Sequence, residues 1–292
     1  MKRVFKWIGI AIAVALGGVV VFVIGMMLWV NSRLDRTYHI EPRAVAVLTD
    51  SASVAEGKRL FSIYCSECHG DNAAGTAFFH NPSLGSVNAP NLTRGRGGVA
   101  TLYHNTSDWV RAIRHGITPE GKPTFIMPSK DFHYLSDADV GHLVAFLRTA
   151  PAADGVGRKR ELTTLAKVLV GMGAFGDIIS AEVIPHDSVP PTRPRGVTAA
   201  YGNYLITTFG CRGCHGERLA GGKHPDPEGP PGPNLTPGGN LGSWDEDVFI
   251  TNIRGRRSRW MPFVQLGRMS DDELRAIWSY LHGLPALPTA TQ

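Results

Sequence analysis

The stretches CSECHG, residues 65–70, and CRGCHG, residues 211–216, decide how this chain is read. They hold all four cysteines of a 292-residue sequence, and each closes on His-Gly. The segments around them match as well. APNLT at 89–93 answers GPNLT at 232–236, SDWVRAIRHG from 107 answers SWDEDVFITNIRG from 243, and IMP at 126–128 answers WMP at 260–262. Each set ends on one more helical pattern, LSDADVGHLVAFLRTAP from 135 and MSDDELRAIWSYLHGLP from 269. The offset between copies is 146 at the first cysteine, 143 at the asparagine and 134 at both the Met-Pro and the closing helix. A drift in one direction means two copies of one unit of about 100 residues, the second with shorter loops: two domains, not a solenoid array.

The boundaries follow. Residues 1–36 are an N-terminal segment of their own, 37–53 a linker, 54–151 the first domain, 152–197 a strap with a proline-rich connector, and 198–292 the second domain. Thirty-four glycines and 20 prolines predict short helices joined by turn-rich loops. Ser53 with Glu56 reads as a capping box opening a helix through Gly57, Leu60, Phe61 and Tyr64; Ser136 with Asp139 and Ser270 with Glu273 open the closing helices in the same way. Phe146 and Tyr280 hold equivalent places there and are read as core aromatics. The strap ELTTLAKVLVGMGAFGDIISAEVI at 161–184 is apolar, but Lys167, Asp177 and Glu182 interrupt it, so it is expected to pack on one or both domains rather than span a membrane. PHDSVPPTRPRG at 185–196 reads as a stiff, extended connector.

Net charge is +5, and its distribution excludes nucleic acid as a partner. Lys and Arg number six against three acids over 1–53, nine against eight over 54–151, six against five over 152–197 and nine against nine over 198–292. No folded domain presents the basic excess that phosphate binding requires. The excess sits at the N-terminus, where Lys2, Arg3 and Lys6 precede an uncharged run from Trp7 to Val30. At about 1.5 Å per residue that run is long enough for a bilayer core of roughly 30 Å. The basic flank predicts a cytoplasmic N-terminus with both domains on the outer, periplasmic side of a bacterial inner membrane. A cleaved signal peptide is the alternative, with AVA at 13–15 as a loose cleavage site, but the run exceeds a usual signal core.

C-x-x-C-H is the attachment signature of c-type haem. Two thiols at this spacing suit thioether bonds to the two vinyl groups of one macrocycle, and the adjacent histidine then lies under the iron. A shared zinc site would need the distant halves to pool their thiolates into one tetrahedron, and a thioredoxin-type dithiol would sit in a βαβ pattern that is missing here. Two haem c groups are therefore expected, one on Cys65, Cys68 and His69, the other on Cys211, Cys214 and His215. No cysteine remains for a disulfide. Each copy also has a methionine at the same place before its closing helix, Met127 and Met261, each followed by proline. These are the expected sixth ligands; Met269 is also at hand but aligns with Leu135. A neutral sulfur opposite histidine raises the potential of the iron and closes it to substrates, which marks a carrier and not a catalyst.

On these motifs the chain resembles the class I c-type cytochromes, and in particular the membrane-anchored di-haem cytochromes c of bacterial respiratory or photosynthetic chains. The resemblance covers about 54–151 and 198–285. It implies an all-α fold, with three to five helices around each haem and first and last helices crossing through Gly57 and Phe61 against Phe146, and through Gly202 and Ile206 against Tyr280. It further implies that the carbonyls of Pro90 and Pro233 accept hydrogen bonds from His69 and His215. The expected function is single-electron relay on the periplasmic side between a donor and an acceptor complex, with redox proteins or a larger membrane complex as partners and no small-molecule substrate. Similar tandem domains occur in the cytochrome subunits of membrane alcohol and sugar dehydrogenases, typically with three haem motifs. A di-haem enzyme of peroxidase or thiosulfate-oxidising type, with one open iron, is the other alternative.

His39, His80, His104, His115, His133, His142, His186, His224 and His282 have no counterparts across the repeat and are read as ordinary surface or structural residues. Arg254, Arg256, Arg257 and Arg259 run up to Met261 and are either a docking patch near the second haem or a solvated face neutralised by Asp245–Asp247 and Asp271–Glu273.

Overall fold

The computed structural model describes residues 2–188, 192, 194–226 and 228–290, so the connector expected at 185–196 lies partly outside the described residues. The first helix, α1 (Lys2–Leu34), contains an 18-residue window of mean hydropathy 2.7 with none of it buried, and is long and apolar enough to cross a membrane.

In the first domain, α2 (Ser51–Tyr64) runs into α3 (Ser66–His69), the strands β1 (Thr76–Asn81) and β2 (Gly85–Ala89) follow, and then come α4 (Thr106–His115), α5 (Ser129–Phe132) and α6 (Asp137–Thr149). The strap contributes β3 (Arg160–Leu162) and α7 (Thr164–Gly171). The second domain repeats the plan with α8 (Ala199–Thr208), α9 (Arg212–His215), β4 (Ala220–Gly222), β5 (Gly232–Asn234), α10 (Glu246–Gly255), α11 (Phe263–Leu266) and α12 (Asp271–His282). The fold is mainly helical, with two additions to the all-α expectation. β1, β2 and β3 form an antiparallel three-stranded sheet, and β4 pairs antiparallel with β5. β1, β2, β4 and β5 are loop segments straightened against one another after the motif, and β3 is a piece of the strap laid against β2; none carries a period-2 pattern of burial over more than a few residues.

The two domains use one device to bring first and last helices together. A Cβ at Gly57 would run into the carbonyl oxygen of His142 on α6, and one at Gly202 into that of Ala276 on α12. Only hydrogen permits so close a crossing. The Phe61 and Phe146 rings then meet at 5.2 Å in the first core, and Ile206, Leu274 and Leu281 fill the second. Two of the three expected caps sit where expected. The Ser136 side chain accepts from the Asp139 amide, and Ser270 with Glu273 forms a full capping box. The third differs: α2 begins at Ser51 with Asp50 as its cap, accepting from the Ser53 amide at 2.9 Å. Glu56 instead joins Arg59 and Arg195.

The domains dock through their motif-bearing ends. Ile63, near the end of α2, lies in the core of the second domain. Tyr64, one residue before Cys65, stands between Phe132 of its own domain and Phe209 of the other, at 6.1 and 6.0 Å. Its hydroxyl lies 3.1 Å from that of Thr208. Around this centre Arg59 pairs with Glu273 and Arg268 with Asp71. Arg195 bridges Glu56 and Asp139, and the Tyr204 hydroxyl donates to Asp139.

Candidate functional site

Each C-x-x-C-H segment is a single helical turn, α3 or α9, that ends on a glycine with φ near +75°. Gly70 and Gly216 adopt φ of 73° and 78° with ψ of 158° in both, a conformation glycine takes without strain. The chain then turns through Ala73 and Leu219, both left-handed at φ of 59° and 58°, whose carbonyls accept from the amides of Leu92 and Leu235 at 2.7 Å. That bond sets the Pro-Asn-Leu-Thr segment across the motif. Asn91 and Asn234 make the segment rigid: each side-chain oxygen accepts from the threonine amide two residues on, and each amide group donates to a carbonyl of the segment that follows the closing helix, Ala153 in one case and Leu287 in the other.

The consequence is a histidine in a fixed pose. Nδ1 of His69 lies 2.9 Å from the Pro90 carbonyl oxygen, and Nδ1 of His215 lies 2.8 Å from that of Pro233. Only a protonated Nδ1 can bond a carbonyl, so Nε2 keeps its lone pair. Burial pushes both imidazoles below their ordinary pKa, with the proline carbonyl working the other way. The neutral ring that a metal requires is thus the form the site holds.

The four cysteines are free thiols. Burial pushes Cys65, Cys68 and Cys211 up to about 12 and raises Cys214. Such sulfurs are held as neutral thiols, not as the thiolates that a zinc site requires. Met127 borders the same apolar core as Cys65, and Met261 the same core as Cys211. Met269 is buried within the second core at 2 % exposure. In each domain the donor set is two thiols, an imidazole with a free Nε2 and a thioether on the same core, which fits haem c with Cys65, Cys68, His69 and Met127 in one domain and Cys211, Cys214, His215 and Met261 in the other.

The surroundings of the two methionines differ. Ile126 is the one β-branched residue with positive φ among the described residues, at 69°. The strap holds it, through Ile126 N–H to the Ile178 carbonyl at 2.9 Å and the Ser180 hydroxyl to the Met127 carbonyl at 2.8 Å. Among the described residues Met261 has no such strap; its amide leans on Ser258 of its own loop. Arg254 there pairs with Asp271 and caps the carbonyls of Gly267 and Met269. Arg256 and Arg259 lie over Trp244 and Trp260, Arg259 also pairs with Glu228, and among the described residues Arg257 donates only to carbonyls of its own run.

Three histidines set aside one by one come together in the first domain. Nδ1 of His115 and Nδ1 of His186 are 2.9 Å apart, and the His133 ring stands 5.6 Å from that of His115. They face a cavity of about 250 Å³ shared with Glu41, Arg43, Arg114, Asp187 and Ser188. Burial, then the charge of His186 and His133, pushes His115 down to about 4. No spacing signals this cluster, because its members come from α4, the turn after α5, and the strap.

Comparison with known proteins agrees with this duplication. The family described as "Cytochrome c" matches residues 54–151, and that described as "Cytochrome C oxidase, cbb3-type, subunit III" matches 198–281. The chain is 25% identical over 273 residues to a protein of Gluconacetobacter polyoxogenes named as the cytochrome c subunit of a quinone alcohol dehydrogenase, covering 82% of this chain and 57% of that one. The corresponding Gluconobacter oxydans protein is 25% identical over 274 residues, at 82% and 56% coverage. The cbb3-type cytochrome c oxidase subunit FixP of a Bradyrhizobium strain is 26% identical over 230 residues, at 79% and 60%. The chain thus spans less than two thirds of the length of these relatives.

Proposed function

We propose, from the premise that the chain is a di-haem c-type cytochrome, that it is tethered by α1 to a bacterial inner membrane and relays single electrons between two membrane redox complexes on the periplasmic side. The observation that carries this reading is the doubled histidine pose, two Nδ1-to-proline contacts within 0.1 Å of each other. When bound, haem c supplies a one-electron iron couple, with a potential that a neutral sulfur ligand would raise. In the proposal Cys65, Cys68, Cys211 and Cys214 would fasten the two groups, and His69 and His215, through Nε2, with Met127 and Met261 would ligate the iron. Pro90 and Pro233 orient the imidazoles and raise their basicity. No substrate pocket is needed.

The names of these relatives favour a permanent place in a larger assembly over a free carrier, since each is a subunit, of a quinone alcohol dehydrogenase or of a cbb3-type oxidase. Arg256 and Arg257, which pair with no acid among the described residues while Arg254 and Arg259 meet Asp271 and Glu228, then serve as the face for an acidic partner, through charge-assisted contacts that steer encounter. Intact mass of the purified protein tests the premise: the polypeptide is expected to carry two haem groups, and a potentiometric titration is expected to show two one-electron steps. A polypeptide without both added masses overturns the reading. Mass spectrometry of what travels with the chain from mild-detergent membranes identifies the complex.

A further inference from the structure

We infer that α7 and the turn after it form a second membrane contact, seated in the outer leaflet beside α1. The inference rests on α1 crossing the bilayer as proposed above. The apolar run of α1 ends at Val30, so Met26 lies about 6 Å inside that end at about 1.5 Å rise per residue. Yet α7 reaches this depth: a Cβ at Gly171 would run into the Met26 terminal methyl, with Val30 Cγ2 at 3.3 Å. Val30 and Leu34 of α1 pack with Val170 and Ile179 of the strap in one small core. A segment fixed at that level on a spanning helix has lipid as its surroundings, not water.

The segment is built for those surroundings. From Val168 to Gly176 it has nine residues and no charge. Its outer side presents Met172 at 65 % exposure and, about two turns earlier, Leu165 at 50 %, apolar surface turned outward at the level of the acyl chains. The polar boundary stands at the expected height. Trp29 is half exposed on α1, the Arg33 guanidinium lies over its ring at 4.9 Å, and Arg33 pairs with Glu182 at 2.6 Å. Tryptophan and arginine at this level belong to the headgroup zone, and an apolar tip beneath them inserts as interfacial segments do. Lys167 and Asp177 flank the uncharged stretch, which excludes a second span and fits a shallow dip.

The test uses the full-length holoprotein in lipid nanodiscs, an aryl diazirine that partitions into the acyl region, and peptide mass spectrometry after illumination. Label is expected both in the apolar run of α1 and in 168–176, the latter several-fold above peptides carrying Val248 and Val264, which are exposed apolar residues of the second domain. Label in α1 with 168–176 no higher than those peptides overturns the strap contact and leaves the anchor standing. Label in neither overturns the anchor and this inference with it.

Discussion

The methionine loops of the two domains occupy equivalent places and are held by different means. Around Met127 the backbone is forced into a left-handed turn at a β-branched residue and pinned from outside by Ile178 and Ser180. Around Met261 the loop is exposed, arginine-rich and supported from within. A strained conformation costs of order 1–3 kcal/mol and persists only where neighbours impose it. One copy therefore has its methionine loop fixed by a segment that also packs on α1, while the other copy holds its loop from within its own domain. Duplication preserved the histidine side of the site and let the methionine side diverge.

The strongest way to break this comparison is to remove each sulfur in turn. Met127→Ala and Met261→Ala are each expected to lower one midpoint potential, by on the order of tenths of a volt, and to leave the other in place. Separate potentiometric waves and carbon monoxide binding check this; loss of both waves together, or of neither, removes the ligand assignment. The helix crossings make the opposite forecast, equality. Gly57→Ala and Gly202→Ala put a methyl against His142 and Ala276, and each is expected to destabilise its domain by about 1–3 kcal/mol, read by chemical denaturation.

Acid separates the domains again. His115 has a folded pKa of about 4, below the ordinary value near 6.5. Between those values the unfolded chain binds the proton and the folded one does not, so the stability is present above about pH 6.5 and is lost as pH falls toward 4. The loss is up to about 3 kcal/mol, and the second domain, with no such cluster among the described residues, is expected to lag. Domain-resolved hydrogen exchange at pH 7 and pH 4.5 checks the order. The smallest effect belongs to Ser180→Ala. Losing one hydrogen bond of about 1 kcal/mol is expected to quicken carbon monoxide binding several-fold at the first haem and not at the second, measured by stopped flow.

Motif, repeat and closing-helix caps were legible because each is a local pattern: Ser270 and Glu273 need only their own spacing to form a box. The start of α2 was not, since Asp50 and Ser53 both suit a cap and the choice falls to Glu56, which Arg59 and Arg195 draw away. Nor were the strands, because β3 is three residues of the strap that become a strand only on meeting β2. The His115–His133–His186 cluster and the Tyr64 contact were out of reach for the same reason. Both depend on segments brought together by domain docking or by the strap, and neither leaves a period in the chain.

Tyr64 is a wall common to two rooms. Because the ring between Phe132 and Phe209 belongs to both hydrophobic interiors, whichever half loosens first withdraws part of the other's lining. The spacing between the metal centres is then a property of side-chain packing, indifferent to how long or how loose the covalent tether between the halves is.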